Sequence, residues 1–392
     1  MGRTHDIKIP PATSWLVDPA AQALCAAVKG AGHQVYFVGG CVRNALLGLP
    51  DSDVDMSTNA LPEVVTKVAI DAGFKAIPTG IAHGTITVVV QGKPFEVTTF
   101  RRDVETDGRR AVVAFSDRIE DDARRRDFTM NALYATVDGQ VIDPLGGLPD
   151  LLARRVRFIE DPAARITEDY LRTLRFFRFS AWYADTSDGF DPEALAAISA
   201  NLDGLETLSA ERVGQEIAKV LMALNPAPSV ALMRQTGVLN TVLPGADDRW
   251  LAPLVHIEQA LGLDPDWLCR LAALGGDDLV NRLRLSKADA QVLSIMREVG
   301  FSGPTPEEIS YRHGKRIGVA TVLLRSVMAH ALPERHRLET VIKAAEAEFP
   351  VNAQDLMPEL KGPALGQRLK YLEQLWIDSG FALSAQELLS AP

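Results

Sequence analysis

Gln34-Val35-Tyr36-Phe37-Val38-Gly39-Gly40-Cys41-Val42-Arg43-Asn44-Ala45-Leu46-Leu47-Gly48, followed after Leu49-Pro50 by Asp51-Ser52-Asp53-Val54-Asp55-Met56-Ser57, is the stretch on which the reading of this chain turns. Its first five residues are a short apolar run, which predicts a buried strand. The run leads into Gly39-Gly40 and then into a helical pattern over 41–48. A strand, a glycine turn and a helix start let backbone N–H groups approach a polyphosphate closely. Arg43, one turn in, is placed to grip a phosphate. The acidic stretch over 51–57 alternates carboxylates with other residues, the pattern of a second strand. Residues two apart on a strand project to one face, so Asp53 and Asp55 share one small volume. Two like charges that close are costly unless a cation bridges them. Mg2+ is the hard cation usually held by one or two carboxylates together with substrate phosphates. Alone, an Asp-x-Asp pair is most often a solvated acidic loop, and a Gly-Gly pair an ordinary turn. In succession, they point to a nucleotide site.

Working outward, residues 18–32 read as a helix stopped by Gly30 and Gly32. Pro62 and Glu63, in the stretch 59–63, open another. Residues 85–90 and 95–100 are rich in β-branched and aromatic side chains and form a hairpin across 91–94. The polar stretch 102–118, with Asp107-Gly108, reads as a mobile loop. From about 120 onward the periodicity is mostly helical, with slight β character over 135–141. No internal repeat or low-complexity tract is present. The expected fold class is α+β: an N-terminal head with a small mixed sheet plus helices, then an elongated all-helical remainder. Helix position also matters for Glu168-Asp169-Tyr170-Leu171-Arg172-Thr173-Leu174-Arg175-Phe176-Phe177-Arg178, where Asp169, Arg172, Arg175 and Arg178 recur every three residues and wind slowly along one side. An acceptor-only Asp beside a donor-only Arg matches the amino donor and ring-nitrogen acceptor of cytosine and adenine. It opposes the reversed pattern of uracil and guanine.

Gly39-Gly40-Cys41-Val42-Arg43 with Asp53-Val54-Asp55 resembles the signature of the polymerase-β-like nucleotidyltransferases. More narrowly it resembles their class II branch, which holds bacterial tRNA CCA-adding enzymes and bacterial poly(A) polymerases. The family usually carries Asp after that Arg, where this chain has Asn44. Arg125-Arg126-Asp127-Phe128-Thr129-Met130-Asn131-Ala132-Leu133 is close to the family's Arg-Arg-Asp-Phe-Thr-x-Asn-Ala, with the arginine pair expected to enter a helix and offer charge to a triphosphate. Asp143-Pro144-Leu145-Gly146-Gly147 matches its Asp-x-x-Gly-Gly. The 168–178 stretch resembles its nucleotide-recognition helix, and Ser209-Ala210-Glu211-Arg212-Val213-Gly214-Gln215-Glu216 the helix that braces it. The matches cover residues 35–220. Beyond them, Gly362-Pro363-Ala364-Leu365-Gly366 faintly resembles the tail segment that grips the tRNA elbow.

The resemblance implies a polymerase-β-like catalytic head over 1–143, a helical nucleotide-recognition and RNA-binding neck over 144–225, and a helical body and tail over 226–392. It implies template-independent addition of CCA to tRNA from CTP and ATP, with in-line attack of the RNA 3′-OH and release of pyrophosphate. Asp53 and Asp55 would be catalytic and hold Mg2+, with Glu96 a candidate third carboxylate. Gly40, Arg43, Arg126, Asp169, Arg172, Arg175 and Arg178 would bind nucleotide, Asp169 and Arg172 reading the base and Arg175 and Arg178 lying nearer the triphosphate. A poly(A) polymerase, a CC-only or A-only enzyme, and an RNA-binding chain with an inactive head remain alternatives. Family CC-only enzymes lack a working flexible loop at 103–117, so that loop favours full CCA addition. His5-Asp6 is the sole His-Asp pair, which speaks against a metal phosphohydrolase domain.

Bulk composition sets the outer limits. A chain of 392 residues with 47% hydrophobic and 23% charged content is that of a multidomain globular protein. The formal net charge of −10 opposes nucleic-acid binding if spread evenly. The arginines, however, cluster over 101–126 and 154–178, and one basic face suffices. Three scattered cysteines exclude a disulfide framework or zinc site and fit a reducing cytoplasm. No signal or membrane segment is expected, nor an obligate protein partner.

Overall fold

Asp18 begins the first long helix by accepting a hydrogen bond from Ala20 N–H, with Pro19 at its first position. The computed structural model describes residues 7–107 and 110–392. It divides into two compact units, Met1–Glu216 with Leu232–Val242, and Ile217–Ala231 with Leu243–Pro392.

In the first unit, α1 (Ser14–Val17) and α2 (Pro19–Gly30) precede β1 (Val35–Val38). α3 (Gly40–Leu47) follows, then β2 (Asp55–Thr58), α4 (Pro62–Asp71), β3 (Lys75–Gly80), β4 (Thr85–Val90) and β5 (Lys93–Thr99). After β6 (Arg101–Asp107), β7 (Arg110–Phe115) and α5 (Ile119–Arg124) come the short β8 (Tyr134–Ala135) and β9 (Val141–Ile142). The mixed sheet has the order β3-β4-β5-β2-β1-β8-β9. β2 runs parallel to β5 and antiparallel to β1. α2 buries Ala20, Leu24, Cys25 and Val28, an i, i+4 stripe. Trp15 and Phe37 meet with ring centroids 4.6 Å apart. Fully buried Leu24 and Phe37 contribute about 1.5–3 kcal/mol each by leaving water.

The rest of this unit is helical: α6 (Leu148–Leu152), α7 (Pro162–Glu168), α8 (Leu171–Tyr183), α9 (Pro192–Ala200) and the start of α10 (Ala210–Leu221). α8 buries Leu171, Leu174, Phe176 and Phe177. Phe128 rests on Phe158 and Phe179 at centroid distances of 5.1 and 4.9 Å. This aromatic cluster fixes α8 to the Arg125–Leu133 motif.

The second unit is built from helices such as Leu251–Leu261, Trp267–Leu274, Lys287–Val299 and Lys315–Met328. The buried Arg270 pairs with the buried Glu258 at 2.6 Å. Arg270 also donates to the carbonyls of Leu221 and Ala223 at 2.5 and 2.6 Å. Its charge is therefore spent inside the fold. Val351, Leu372, Trp376, Ile377 and Leu388 form a separate apolar cluster near the C-terminus. Gly362 starts the helix Pro363–Asp378. Cys25, Cys41 and Cys269 are all buried free thiols, and no helix among the described residues is long and apolar enough to cross a membrane.

The mixed sheet with a helical remainder agrees with the α+β expectation. Several local expectations are corrected. The strand anticipated over 51–57 begins only at Asp55, because Pro50 and the acidic run before it stay unpaired. The loop expected over 102–118 is instead the two-stranded ribbon β6–β7, paired from Arg101↔Phe115 to Asp107↔Arg110. Gly108 lies outside the described residues, as does His5-Asp6. The arginine pair leaves a helix rather than entering one: Arg125 caps the C-terminal end of α5. The hairpin link is tighter than 91–94, since only Gln91 and Gly92 turn, both at positive φ. β3 had no sequence signal, being an exposed edge strand.

Candidate active site

β1 ends at Val38 and the chain turns at Gly39, whose φ of 74° lies in the region that favours glycine. A Cβ on Gly40, the first residue of α3, would come within 2.9 Å of Ser52 Oγ. The glycine pair therefore lets the segment carrying the aspartates fold back over the helix start. Asn44 holds the same turn from the other side. Its Nδ2 donates to Pro50 O at 2.8 Å and its Oδ1 accepts from Arg43 Nε at 3.1 Å. An aspartate at this position would keep the second bond and lose the first, having no N–H to give.

Asp53 lies just ahead of β2 and is exposed, while Asp55 is the first residue of the strand and half-buried. Their proximity thus comes from the chain's entry into β2, not from strand alternation. Asp55 is the register partner of Glu96 on parallel β5. Burial, then Glu96 and also Asp53 push the Asp55 carboxyl up to about 6, against the pull of Arg126. Glu96 and Asp53 thus both repel the Asp55 carboxylate at the start of β2, beside the glycine turn. Among the described residues, no group of three or more His, Cys, Asp and Glu side chains is gathered as a ready metal cage. Mg2+ does not need one, because substrate phosphates and water complete its shell. A cluster of acids with one arginine nearby suits such an ion.

Arg126 stands beside this start of β2. Its Nη2 donates to Asp122 at 3.1 Å, and a Cβ on Gly39 would meet its Nη1 at 3.4 Å. Asp122, fully buried, also accepts from Tyr134 Oη at 2.7 Å. Burial alone would raise the Asp122 carboxyl, yet Arg126 and Arg125 hold it below the usual carboxylate range. Arg126 is thereby aimed, with its charge partly matched from behind.

Arg43 is 6% exposed, and among the described residues its guanidinium bonds to uncharged acceptors alone: Asn44, Asn131 and Tyr183 Oη, the last at 2.8 Å. Burial lowers its pKa. The Phe179 ring lies under three guanidinium carbons, those of Arg43 at 5.1 Å, Arg175 at 5.6 Å and Arg178 at 5.0 Å. Three cations from two distant sequence stretches therefore converge on one ring.

Along α8 every site residue has a partner. Asp169 sits ahead of the helix, accepts from Leu171 N–H at 3.1 Å, and pairs with Arg212 of α10 at 2.7 Å. Arg172 pairs with Glu168 and donates to Arg125 O at 3.2 Å. Arg175 holds Asp127 at 2.6 Å through Nε, and Arg178 holds Glu216 at 3.2 Å. Burial would raise the Asp127 carboxyl, but Arg175 outweighs it and holds the group low.

The structure gathers Asp53, Asp55, Gly40 and Arg126 with Glu96 in one place, and Arg43, Arg175 and Arg178 around Phe179. Arg172 lies at the other end of α8, about 9 Å along the axis from Arg178 at 1.5 Å per residue, and Asp169 lies beyond it, just ahead of the helix. Sequence reading missed Phe179, Tyr183 and Asp127 as site-shaping residues. Phe179 stands four residues after Arg175, a spacing that could have flagged the ring. Arg212, read as a brace, bonds directly to the base-reading candidate Asp169.

Comparison with known proteins bears on this arrangement. Residues 35–157 match the family model of the poly A polymerase head domain, and residues 189–249 that of the probable RNA and SrmB-binding site of polymerase A. The mitochondrial CCA tRNA nucleotidyltransferase 1 of Mus musculus is 32% identical over 91% of this chain and 86% of its own length. The CCA-adding enzyme of Streptococcus suis is 31% identical over 88% and 89%. Among solved structures, the CCA-adding enzyme of Bacillus stearothermophilus in complex with CTP superposes with a TM-score of 0.71, at 28% identity over 93% of this chain and 94% of that one.

Proposed function

The chain belongs to the CCA-adding tRNA nucleotidyltransferases, and from that premise we propose that it adds CCA to tRNA 3′ ends from CTP and ATP without a nucleic-acid template, releasing pyrophosphate. The observation that carries the reading is the carboxylate group of Asp53, Asp55 and Glu96 beside the Gly39-Gly40 turn, within reach of Arg126.

We propose Asp53 and Asp55 as the holders of Mg2+, with Glu96 as a third carboxylate. Bound Mg2+ would supply Lewis-acid stabilisation of phosphate charge and make the RNA 3′-OH more acidic. The chain's own part is positioning and electrostatics. Gly39 and Gly40 open the backbone to the triphosphate. Arg126 offers charge on one side, and Arg175 and Arg178, spread over Phe179, offer it on the other. Arg43 shapes the same wall. Asp169 and Arg172 present acceptor and donor edges to the base. Arg212 and Glu168, which pair with them, fix those edges in place. Tight fixation favours two bases that share a donor–acceptor pattern over two that reverse it. Good base contacts of this kind are worth roughly 1–3 kcal/mol each. We place the work in the cytoplasm, where buried free cysteines stay reduced.

The test is incubation with Mg2+ and a tRNA transcript lacking its CCA end, with CTP, ATP, both, or UTP and GTP, followed by sequencing of product ends. A discrete CCA requiring both nucleotides is expected. Long A tails with ATP alone would make the chain a poly(A) polymerase, arrest after CC a partial enzyme, and no product an RNA-binding protein.

A further inference from the structure

Position 44 carries asparagine where related chains usually carry aspartate, and the structure shows what that amide does for its neighbour. Asn44 Oδ1 accepts from Arg43 Nε at 3.1 Å and from Arg43 Nη2 at 3.0 Å. A carboxylate facing the same two nitrogens would neutralise the guanidinium. Arg43 also donates to Asn131 Oδ1 and to Tyr183 Oη, and its guanidinium carbon stands 4.2 Å from the Tyr183 ring centre. Among the described residues no carboxylate bonds to it. Asp127 is the carboxylate whose field reaches Arg43, but its oxygens are taken. Oδ2 holds Arg175, and Oδ1 accepts from Asn131 Nδ2 at 3.0 Å and from Phe128 N–H at 2.9 Å.

The ionised groups that face the three guanidiniums on Phe179 show the same imbalance. They are Asp127, Glu216 and Asp169. Arg175 pairs with the first, Arg178 with the second and Arg212 with the third. The other groups facing Arg43 are the thiol of Cys41 and the phenol of Tyr183, which bring no charge. Each carboxylate is thus matched by another arginine, and the charge of Arg43 is the one left over. Burial makes that charge felt beyond contact distance, because the effective dielectric constant inside a protein is lower than in water. It attracts most strongly a ligand that carries several negative charges. An aspartate at position 44 would cancel it through the same two bonds.

We propose that Asn44, by supplying an uncharged acceptor, leaves the Arg43 charge free for the triphosphate of the incoming nucleotide and so sets the affinity of this site for CTP and ATP. Asn44 is a positioning residue, since it acts through Arg43. The proposal rests on the reading of Arg43, Arg175 and Arg178 as the triphosphate side of a nucleotidyltransferase site. Its other bond, from Nδ2 to Pro50 O, holds the turn ahead of the aspartates and is structural.

The experiment separates the two bonds. It is binding of CTP, CMP and pyrophosphate to the full chain with Mg2+ and without tRNA, by isothermal titration calorimetry, alongside KM and kcat for CTP. Binding needs no CCA addition, so the proposal can fail while that reading stands, and a wild type that binds CTP but adds no CCA would sink that reading alone. Related chains carry aspartate here, so Asn44→Asp keeps the fold. Its Kd for CTP and for pyrophosphate should rise about fivefold to tenfold, and its Kd for CMP, which has fewer charges, should rise less. KM for CTP should rise more than kcat falls, because the triphosphate is charged in the ground state and the transition state alike. Asn44→Ala loses the Pro50 bond as well but adds no charge. It should lower the melting temperature, yet weaken CTP binding less than Asn44→Asp does. Equal losses in the two variants would make Asn44 a structural brace and overturn the proposal. So would unchanged CTP affinity in Asn44→Asp, or a loss for CMP as large as that for CTP.

Discussion

The edge of β2 and the flank of α8 handle charge in opposite ways. At the start of β2, Glu96 and Asp53 crowd Asp55, which is forced up to about 6 by burial and by these neighbours. Along α8, Asp169, Arg172, Arg175 and Arg178 each have a partner of opposite sign, namely Arg212, Glu168, Asp127 and Glu216. The first region stores repulsion of the kind that the proposed Mg2+ would relieve. The second spends its charges on pairing, which would hold the proposed base-reading edges of Asp169 and Arg172 in fixed directions. Metal chemistry benefits from an incomplete charge balance, and base selection from a complete one.

The sharpest way to break the comparison is at the edge itself. Asp53→Ala or Asp55→Ala should lower transfer by roughly a thousandfold or more, while tRNA affinity by anisotropy stays within about twofold of wild type, since phosphate contacts dominate that affinity. Near-normal extension by either variant would remove the metal assignment.

The paired flank is next. Asp127→Asn leaves Arg175 without its carboxylate, and a loss of about 1–3 kcal/mol in denaturant unfolding is expected. The sign with pH follows from Arg175 holding Asp127 below its ordinary value. The folded state then binds fewer protons than the unfolded state. The stabilisation is full above the unfolded Asp value of about 3.9 and is lost as pH falls through the lower folded value. Wild type should therefore lose stability below about pH 4 more steeply than Asp127→Asn.

A smaller effect of opposite sign belongs to the edge. In Asp55→Asn one of the repelling charges is gone, so without divalent ions at neutral pH its melting temperature should rise by about 2–4 °C. Added Mg2+ should raise the wild-type value, and chelation reverse it, with little response in the variant. Equal Mg2+ responses would show that the ion acts elsewhere. The smallest effect is expected at an exposed pair outside both regions. Lys93 pairs with Asp18 at 2.8 Å but is 60% exposed, so Lys93→Ala should change stability by less than about 1 kcal/mol.

Much of the site was legible because its chemistry depends on residue type at short range. The Gly39-Gly40 turn, the Asp53–Asp55 pair and the hairpin of β4 and β5 each declare themselves within a dozen residues, through backbone freedom, like charge and β-branched runs. The edge strand β3 did not, because a strand without a buried face carries no alternating pattern, and the pairing of β6 with β7 was not read from the polar stretch either. The same limit explains why Arg126 was expected to enter a helix when it follows one. Local sequence reports a helix end weakly when the cap is made by the backbone alone.

What the sequence determined by itself is therefore the inventory: a strand–glycine–helix unit, paired acids, an arginine-bearing helix and the family to which they point. Only the tertiary structure decided the partners. Glu96 meets Asp55 because β5 lies parallel to β2 in register. Arg43 meets Tyr183, and Asp169 meets Arg212, across 140 and 43 residues. Such pairs are fixed by which faces the core buries together. That is a property of the whole packed sheet and helix layer, which no short window of sequence contains.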